Sequence, residues 1–157
     1  MYTSKDKDRL TERKKAAKML QESAKLLREH GEAKLTPKQG QLSVDGKRTI
    51  ISSIVLYAFA CEIGLKTLIY KGNNIVEKTH NLEELFNKLP EDVRINIQSR
   101  VTSSMTGDEG ARTFESLLNI DKDVFEVWRY FFEYKGIRAD IEFLEKLSKA
   151  INHELDT

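Results

Sequence analysis

The longest apolar run of the chain lies between Thr49 and Lys71, with the sequence TIISSIVLYAFACEIGLKTLIYK. Only two charged residues, Glu62 and Lys66, interrupt it before the terminal lysine. A helix that is apolar on nearly all sides is covered by neighbouring elements on most of them. The pattern therefore predicts a central helix over about 49–71, with the rest of the chain packed around it.

The remaining segments have the period of amphipathic helices rather than of strands. In the first of them, Leu and Ala recur at spacings of three, four and seven among Lys, Arg and Glu, and no alternating pattern appears anywhere. The sequence predicts an all-α fold, a single domain over residues 1–157 built as an antiparallel bundle of four to five main helices. Besides the central helix, the predicted helices cover about 6–30, 81–89 with Asn81 as N-cap, 90–104, 121–134 with Asp121 as cap, and 137–155.

A long loop is predicted between the first helix and the central one. Residues 31–48 contain three of the 8 glycines and one of the 2 prolines, which is a loop composition. Loops of this length in compact domains are functional or disordered. A mobile connector and a functional lid both fit the composition.

The charge is balanced overall but unevenly distributed. The net charge is +1, yet residues 1–48 hold 13 Lys and Arg against 7 Asp and Glu, so the rest of the chain carries a net negative charge. This asymmetry suggests self-association or a local anionic contact, and a solvated lysine-rich helix face is the simpler alternative.

The sequence favours a cytoplasmic protein without a membrane span. Cys61 is the only cysteine, so no disulfide can form within the chain, which fits a reducing compartment. The N-terminus lacks the apolar core of a signal peptide. The charge-free part of the central run, residues 50–61, is shorter than the ~20 residues that a span requires.

Common catalytic and cofactor motifs are missing. Cys61 and the 3 histidines lack metal-ligand spacing. Neither GxxxxGK[ST] nor GxGxxG occurs, so no phosphate-binding loop is indicated. We therefore predict no cofactor and no metal.

Charges inside apolar helices are the main candidates for a site. A buried charge has to be paired or marks a site, so Glu62 and Lys66, one turn apart, form either a structural ion pair or part of a polar pocket. Arg129 lies in the aromatic helix next to Tyr130 and one turn from Glu133, and Glu62 is its expected carboxylate partner. These five residues are the predicted polar cluster.

His80 precedes the predicted N-cap Asn81. Its imidazole can support the first turn of that helix and the packing of the preceding loop. A catalytic or ligand-binding role is the alternative.

Two segments together resemble the HEPN domain. FACEIGLKTLIYKGN with the following KTHNLEELFNKLP resembles the family pattern of E-x-x-L-K, a turn, and then His, Asn and Leu opening the next helix. FEVWRYFFE resembles the Trp-Arg-Tyr segment of one bacterial branch. The resemblance covers roughly residues 50–135. It implies a helical bundle, frequently dimeric, in a bacterial toxin–antitoxin or phage-defence setting.

The chain departs from the ribonucleases of that family. They carry an Arg followed by four to six residues and a His, used in RNA cleavage without metal, and no Arg here has a His at that spacing. We therefore expect a non-catalytic protein that binds another copy of itself, a companion antitoxin-like protein or RNA, with a nucleotide as a further candidate ligand. The alternatives are a divergent metal-independent ribonuclease that uses Arg129 and His80, and a purely structural interaction module that uses the basic first helix.

Overall fold

The computed structural model of the chain describes residues 3–33, 44–105, 112–129 and 139–157. All regular structure in these ranges is helical and none of it is strand, which confirms the predicted all-α fold. The helices in chain order are α1 (Ser4–Ala33), α2 (Val44–Asn73), α3 (Leu82–Asn87), α4 (Glu91–Ser104), α5 (Phe114–Asp121), α6 (Val124–Arg129) and α7 (Ile141–Asp156).

The apolar helix is central, as predicted. α2 contacts α1, α3, α6 and α7, and its side chains at Tyr57, Cys61 and Leu65 are completely buried. α1 covers one side of it with a narrow stripe in which Ala17 and Ala24 are fully buried. The small alanines allow α1 to lie close to the bundle while its charged faces remain in water.

Contacts between helix ends fix the direction of α1. At one end of the α1–α2 hairpin, the Tyr70 hydroxyl donates to Asp6 at 2.9 Å. At the other end, Gly31 lies against Thr49. The two helices are therefore antiparallel.

The last helix runs parallel to α2. The Cys61 thiol donates to the carbonyl of Leu144 at 3.6 Å, and Gly64, one turn further along α2, lies against Ile151, further along α7. One cleft is lined by Ser104, the last residue of α4, and by Glu142 in the first turn of α7. Another is lined by Asn96 in the first half of α4 and by Thr157 at the end of α7, so these two helices run in opposite directions. The bundle thus has α2 and α7 in one direction and α1 and α4 in the other.

Several helix ends differ from the prediction. α1 begins earlier because Thr3 and Asp6 form reciprocal hydrogen bonds, with the Thr3 N–H donating to Asp6 at 3.0 Å and the Asp6 N–H donating to Thr3 at 3.2 Å. The predicted loop 31–48 is too wide, since its first three residues belong to α1 and its last five to α2. The rest of that loop lies outside the described residues.

The cap predicted at Asp121 is wrong. Asp121 is the buried last residue of α5, and its Oδ1 accepts the backbone N–H of Asp140 at 2.9 Å. α6 starts after it, with the Val127 N–H donating to the carbonyl of Asp123 at 2.9 Å. α7 begins later than predicted because Asp140 is its N-cap and accepts from the Phe143 N–H at 2.9 Å.

By length and composition alone, the part of α2 from Arg48 to Asn73 could cross a membrane. Half of the most apolar stretch of this segment is buried inside the protein. The core helix of a soluble protein satisfies the same criterion, so the cytoplasmic location stays a prediction.

Candidate functional site

A buried carboxylate on α2 is the centre of the candidate site. Glu62 is 3% exposed, and its Oε1 accepts from Lys66 Nζ at 2.8 Å and lies 2.9 Å from His80 Nδ1. We call Glu62, Lys66 and His80 the Glu62 cluster. Because a carboxylate buried without a cation is costly, the two partners explain how a glutamate is accommodated in the central helix.

Lys66 and His80 differ in how much solvent they see. The Lys66 side chain is 17% exposed and the His80 side chain 45% exposed, against 4% for that of Glu62. Lys66 comes from the same helix face, one turn further along. The imidazole is thus the part of the cluster that a molecule in solution can reach.

The segment between α2 and α3 brings His80 to Glu62. Asn74 adopts a left-handed conformation with φ 61°, in which asparagine is tolerated better than most residues, and it ends α2. Asn81 then caps α3, since its Oδ1 accepts the Glu84 N–H at 3.0 Å, as the sequence predicts. Its Nδ2 donates to Asp123 at 3.0 Å, which ties the start of α3 to the corner between α5 and α6.

Aromatic side chains pack beside the imidazole of His80. The ring of Phe125 on α6 lies 5.9 Å from that of His80 and stacks on Phe59 of α2 at 4.9 Å with an interplanar angle of 19°. His80 therefore lies between a carboxylate and an apolar wall, an arrangement that restricts its rotation.

The hydrogen bond fixes what the imidazole can do chemically. An ionised carboxylate only accepts, so Nδ1 carries the hydrogen and Nε2 is left as the basic nitrogen of the neutral ring. Both bonds use Oε1 of Glu62, and Oε2 is buried without a hydrogen-bond partner in the described part of the chain. A half-exposed histidine oriented by a carboxylate has the geometry of a general base.

The structure brings together three of the predicted site residues. Glu62, Lys66 and His80 meet, although the sequence pattern treated His80 separately from the other two. The side chain of Arg129, together with Tyr130 and Glu133, lies outside the described residues. The predicted pairing of Arg129 with Glu62 stays a prediction.

Within the described ranges, no group of three or more His, Cys, Asp or Glu side chains is placed to hold a metal ion. A cleft of about 730 Å³ lies away from the Glu62 cluster, between α1, α4 and α7. Its walls carry charges of both signs, including the ion pair of Arg28 with Glu145 at 2.6 Å. It does not extend the cluster.

Comparison of the chain with family models, curated proteins and solved structures gives no match.

Proposed function

We propose that the chain is a HEPN-like helical protein that acts by binding and has no catalysis of its own. Its partner is a companion protein, a second copy of the chain or RNA, in the cytoplasm of a bacterium with a toxin–antitoxin or phage-defence system. The observation that supports this most directly is the Glu62 cluster, which gathers residues that match the HEPN pattern around one buried carboxylate.

The contacts of the cluster favour an architectural role for these residues. The charge of Glu62 is compensated by Lys66 inside the protein at 2.8 Å. His80 uses its Nδ1–H to fasten the segment before α3 to the central helix. Side chains that are paired with each other in this way stabilise the bundle. In addition, the Arg-to-His spacing used by the ribonucleases of that family is missing from the sequence.

The test is incubation of the purified protein with single-stranded RNA in EDTA. We expect intact RNA, because neither a metal nor an Arg–His pair at the required spacing is available. Sedimentation velocity and gel-shift assays on the same preparation then report self-association and RNA binding. RNA cleavage in EDTA that is lost in His80→Ala or Arg129→Ala would overturn the proposal.

The gene neighbourhood offers a second, inexpensive test of the setting. A small nucleotidyltransferase encoded next to this chain supports a toxin–antitoxin pair, and co-expression followed by size-exclusion chromatography then tests complex formation. Separate elution of the two proteins at micromolar concentration would count against that partner.

A metal-independent ribonuclease is the second candidate, favoured by the geometry of His80. Its half-exposed ring is oriented by Glu62, which suits a general base that activates a ribose 2′-hydroxyl. This function also requires the Arg129 guanidinium to reach the same phosphate. If it is correct, Glu62→Gln lowers the cleavage rate while RNA binding persists, and an Arg129→Ala variant that cleaves normally excludes it.

A further inference from the structure

A cleft of about 310 Å³ lies between α3, α4 and α5, away from the Glu62 cluster. Its apolar lining includes Phe86 of α3 and Phe114 of α5, whose rings are 5.0 Å apart. Ile95 of α4 also lines it and is 55% exposed. An aliphatic residue this exposed beside an apolar lining offers a contact surface for another side chain.

The charged groups around this cleft are mostly acidic. Glu83, Glu91 and Glu115 line it, with Arg94 as the one cation among its lining residues. Lys122 lies 3.9 Å from Glu83, so three carboxylates stand against two cations and a surplus of one negative charge remains. A surplus of one negative charge favours cationic over anionic side chains at this surface.

We propose that the cleft between α3, α4 and α5 docks a basic peptide segment with an aliphatic anchor, supplied by a partner protein. The anchor contacts Ile95, which is the exposed part of an apolar lining whose phenylalanines are almost wholly buried, and lysine or arginine side chains face the glutamates. The inference rests on the proposed binding function, since it names the surface and the chemistry of one partner.

The experiment is a selection of random peptides displayed on phage against the immobilised protein. Enriched peptides are synthesised with a fluorescent label, and their dissociation constants are measured by anisotropy at low and high salt. We expect sequences in which a Leu, Ile or Met is flanked by Lys or Arg, and binding that weakens with salt as charge pairs are screened.

Matched variants test whether the selected peptides bind in the cleft. Ile95→Asp puts a charge at the anchor contact, and we expect the selected peptides to bind it at least about tenfold more weakly. Ile75→Asp is the control, because Ile75 is 51% exposed and lies outside the cleft.

Three results would overturn the proposal: no enrichment over plain resin, an acidic or purely polar consensus, or equal binding to Ile95→Asp and the wild type. Circular dichroism confirms that each variant is folded, which its exposed position favours. The outcome is separable from that of the RNA assay, since a protein that cleaves RNA can still bind such peptides, and a protein that fails to bind them can still bind RNA or itself.

Discussion

At the scale of single residues, Asp121 has the most instructive environment. It is fully buried, its Oδ1 accepts the Asp140 N–H at 2.9 Å, and its Oδ2 has no hydrogen-bond partner among the described residues. Burial raises the pKa of Asp121 from 3.8 to about 7, the hydrogen bond from Asp140 opposes this, and the charge of Asp140 adds to it. The folded protein therefore favours the protonated carboxyl.

The raised pKa of Asp121 determines how this residue makes the stability of the protein depend on pH. A carboxyl whose pKa is raised on folding stabilises the folded state fully below its unfolded pKa, and this contribution is lost as the pH rises toward 7. Asp121→Asn keeps the acceptor for Asp140 and cannot ionise. We expect its free energy of unfolding, relative to that of the wild type, to increase by about 2–4 kcal/mol between pH 4 and pH 8.

Urea unfolding at a series of pH values measures this difference. Other carboxylates titrate in the same range, and subtraction of the wild-type curve removes their contribution. Asp8→Asn is the matched control, because Asp8 is exposed on α1. If the difference in free energy of unfolding between Asp121→Asn and the wild type stays constant from pH 4 to pH 8, the pKa of Asp121 is not raised on folding.

The residues of the Glu62 cluster and the buried carboxyl of Asp121 were only partly predictable from the sequence. Glu62 and Lys66 stood out because they are the charges inside the most apolar helix. Asp121 looked like a helix cap, since local spacing cannot reveal a hydrogen bond to Asp140, 19 residues away. The pairing of His80 with Glu62 depends in the same way on how the segment after Asn74 folds back.

At the scale of elements, the contact between α2 and α7 depends on a missing side chain. A Cβ built on Gly64 would collide with Cγ2 of Ile151 and come within contact distance of Leu155. Interiors are close-packed, so such an insertion requires movement of neighbouring side chains or of the helix. Glycine in the middle of α2 thus permits close approach, at a cost in helix propensity.

We expect Gly64→Ala to destabilise the protein by about 1–3 kcal/mol, although alanine is the better helix former. Gly72→Ala is the matched control, because nothing lies within 4 Å of a Cβ at that position near the end of the same helix. It should be neutral or stabilising by up to about 1 kcal/mol. Thermal unfolding monitored by circular dichroism compares them, and similar melting temperatures for both variants would contradict the close contact.

Most helices were predictable, and their boundaries were less so. The apolar period identified α1, α4 and α7, because one buried face is enough to produce it, and α2 was identified by its continuous apolar run. The helix α5 was not predicted, because its eight residues are too few to show a clear period. The beginning of α7 was missed, since the apolar Ile137 extends the pattern while the cap at Asp140 decides where the helix starts. Caps depend on a single side chain, which periodicity does not detect.

At the scale of the molecule, part of the charge asymmetry is used inside the chain. The basic α1 lies antiparallel to α7, and ion pairs join them at Lys18 with Asp156, 2.8 Å, and Arg28 with Glu145, 2.6 Å. The surplus of positive charge on α1 therefore helps to hold the bundle together. Self-association through this helix stays a prediction, with fewer cations available to it.

The two pairs differ in burial and should differ in strength. The side chains of Arg28 and Glu145 are 20% and 16% exposed, those of Lys18 and Asp156 45% and 55%. Arg28 also pairs with Glu32 at 2.7 Å, so its loss removes a cation that two carboxylates share, although Glu145 keeps its pair with Lys149 at 2.6 Å. Exposed pairs contribute little because water and salt screen them, whereas removal of one partner from a buried pair is costly.

We expect Arg28→Met, which retains an apolar stem, to lower the free energy of unfolding by about 1–2 kcal/mol in low salt, and Lys18→Met by less than about 0.5 kcal/mol. Urea denaturation at low and high NaCl tests both. Salt should reduce the small Lys18 effect further and leave much of the Arg28 effect, because partly buried charges are screened less. Equal losses for the two variants would mean that the attraction between α1 and α7 is a diffuse effect of net charge, and the basic first helix would then be free to meet an acidic partner.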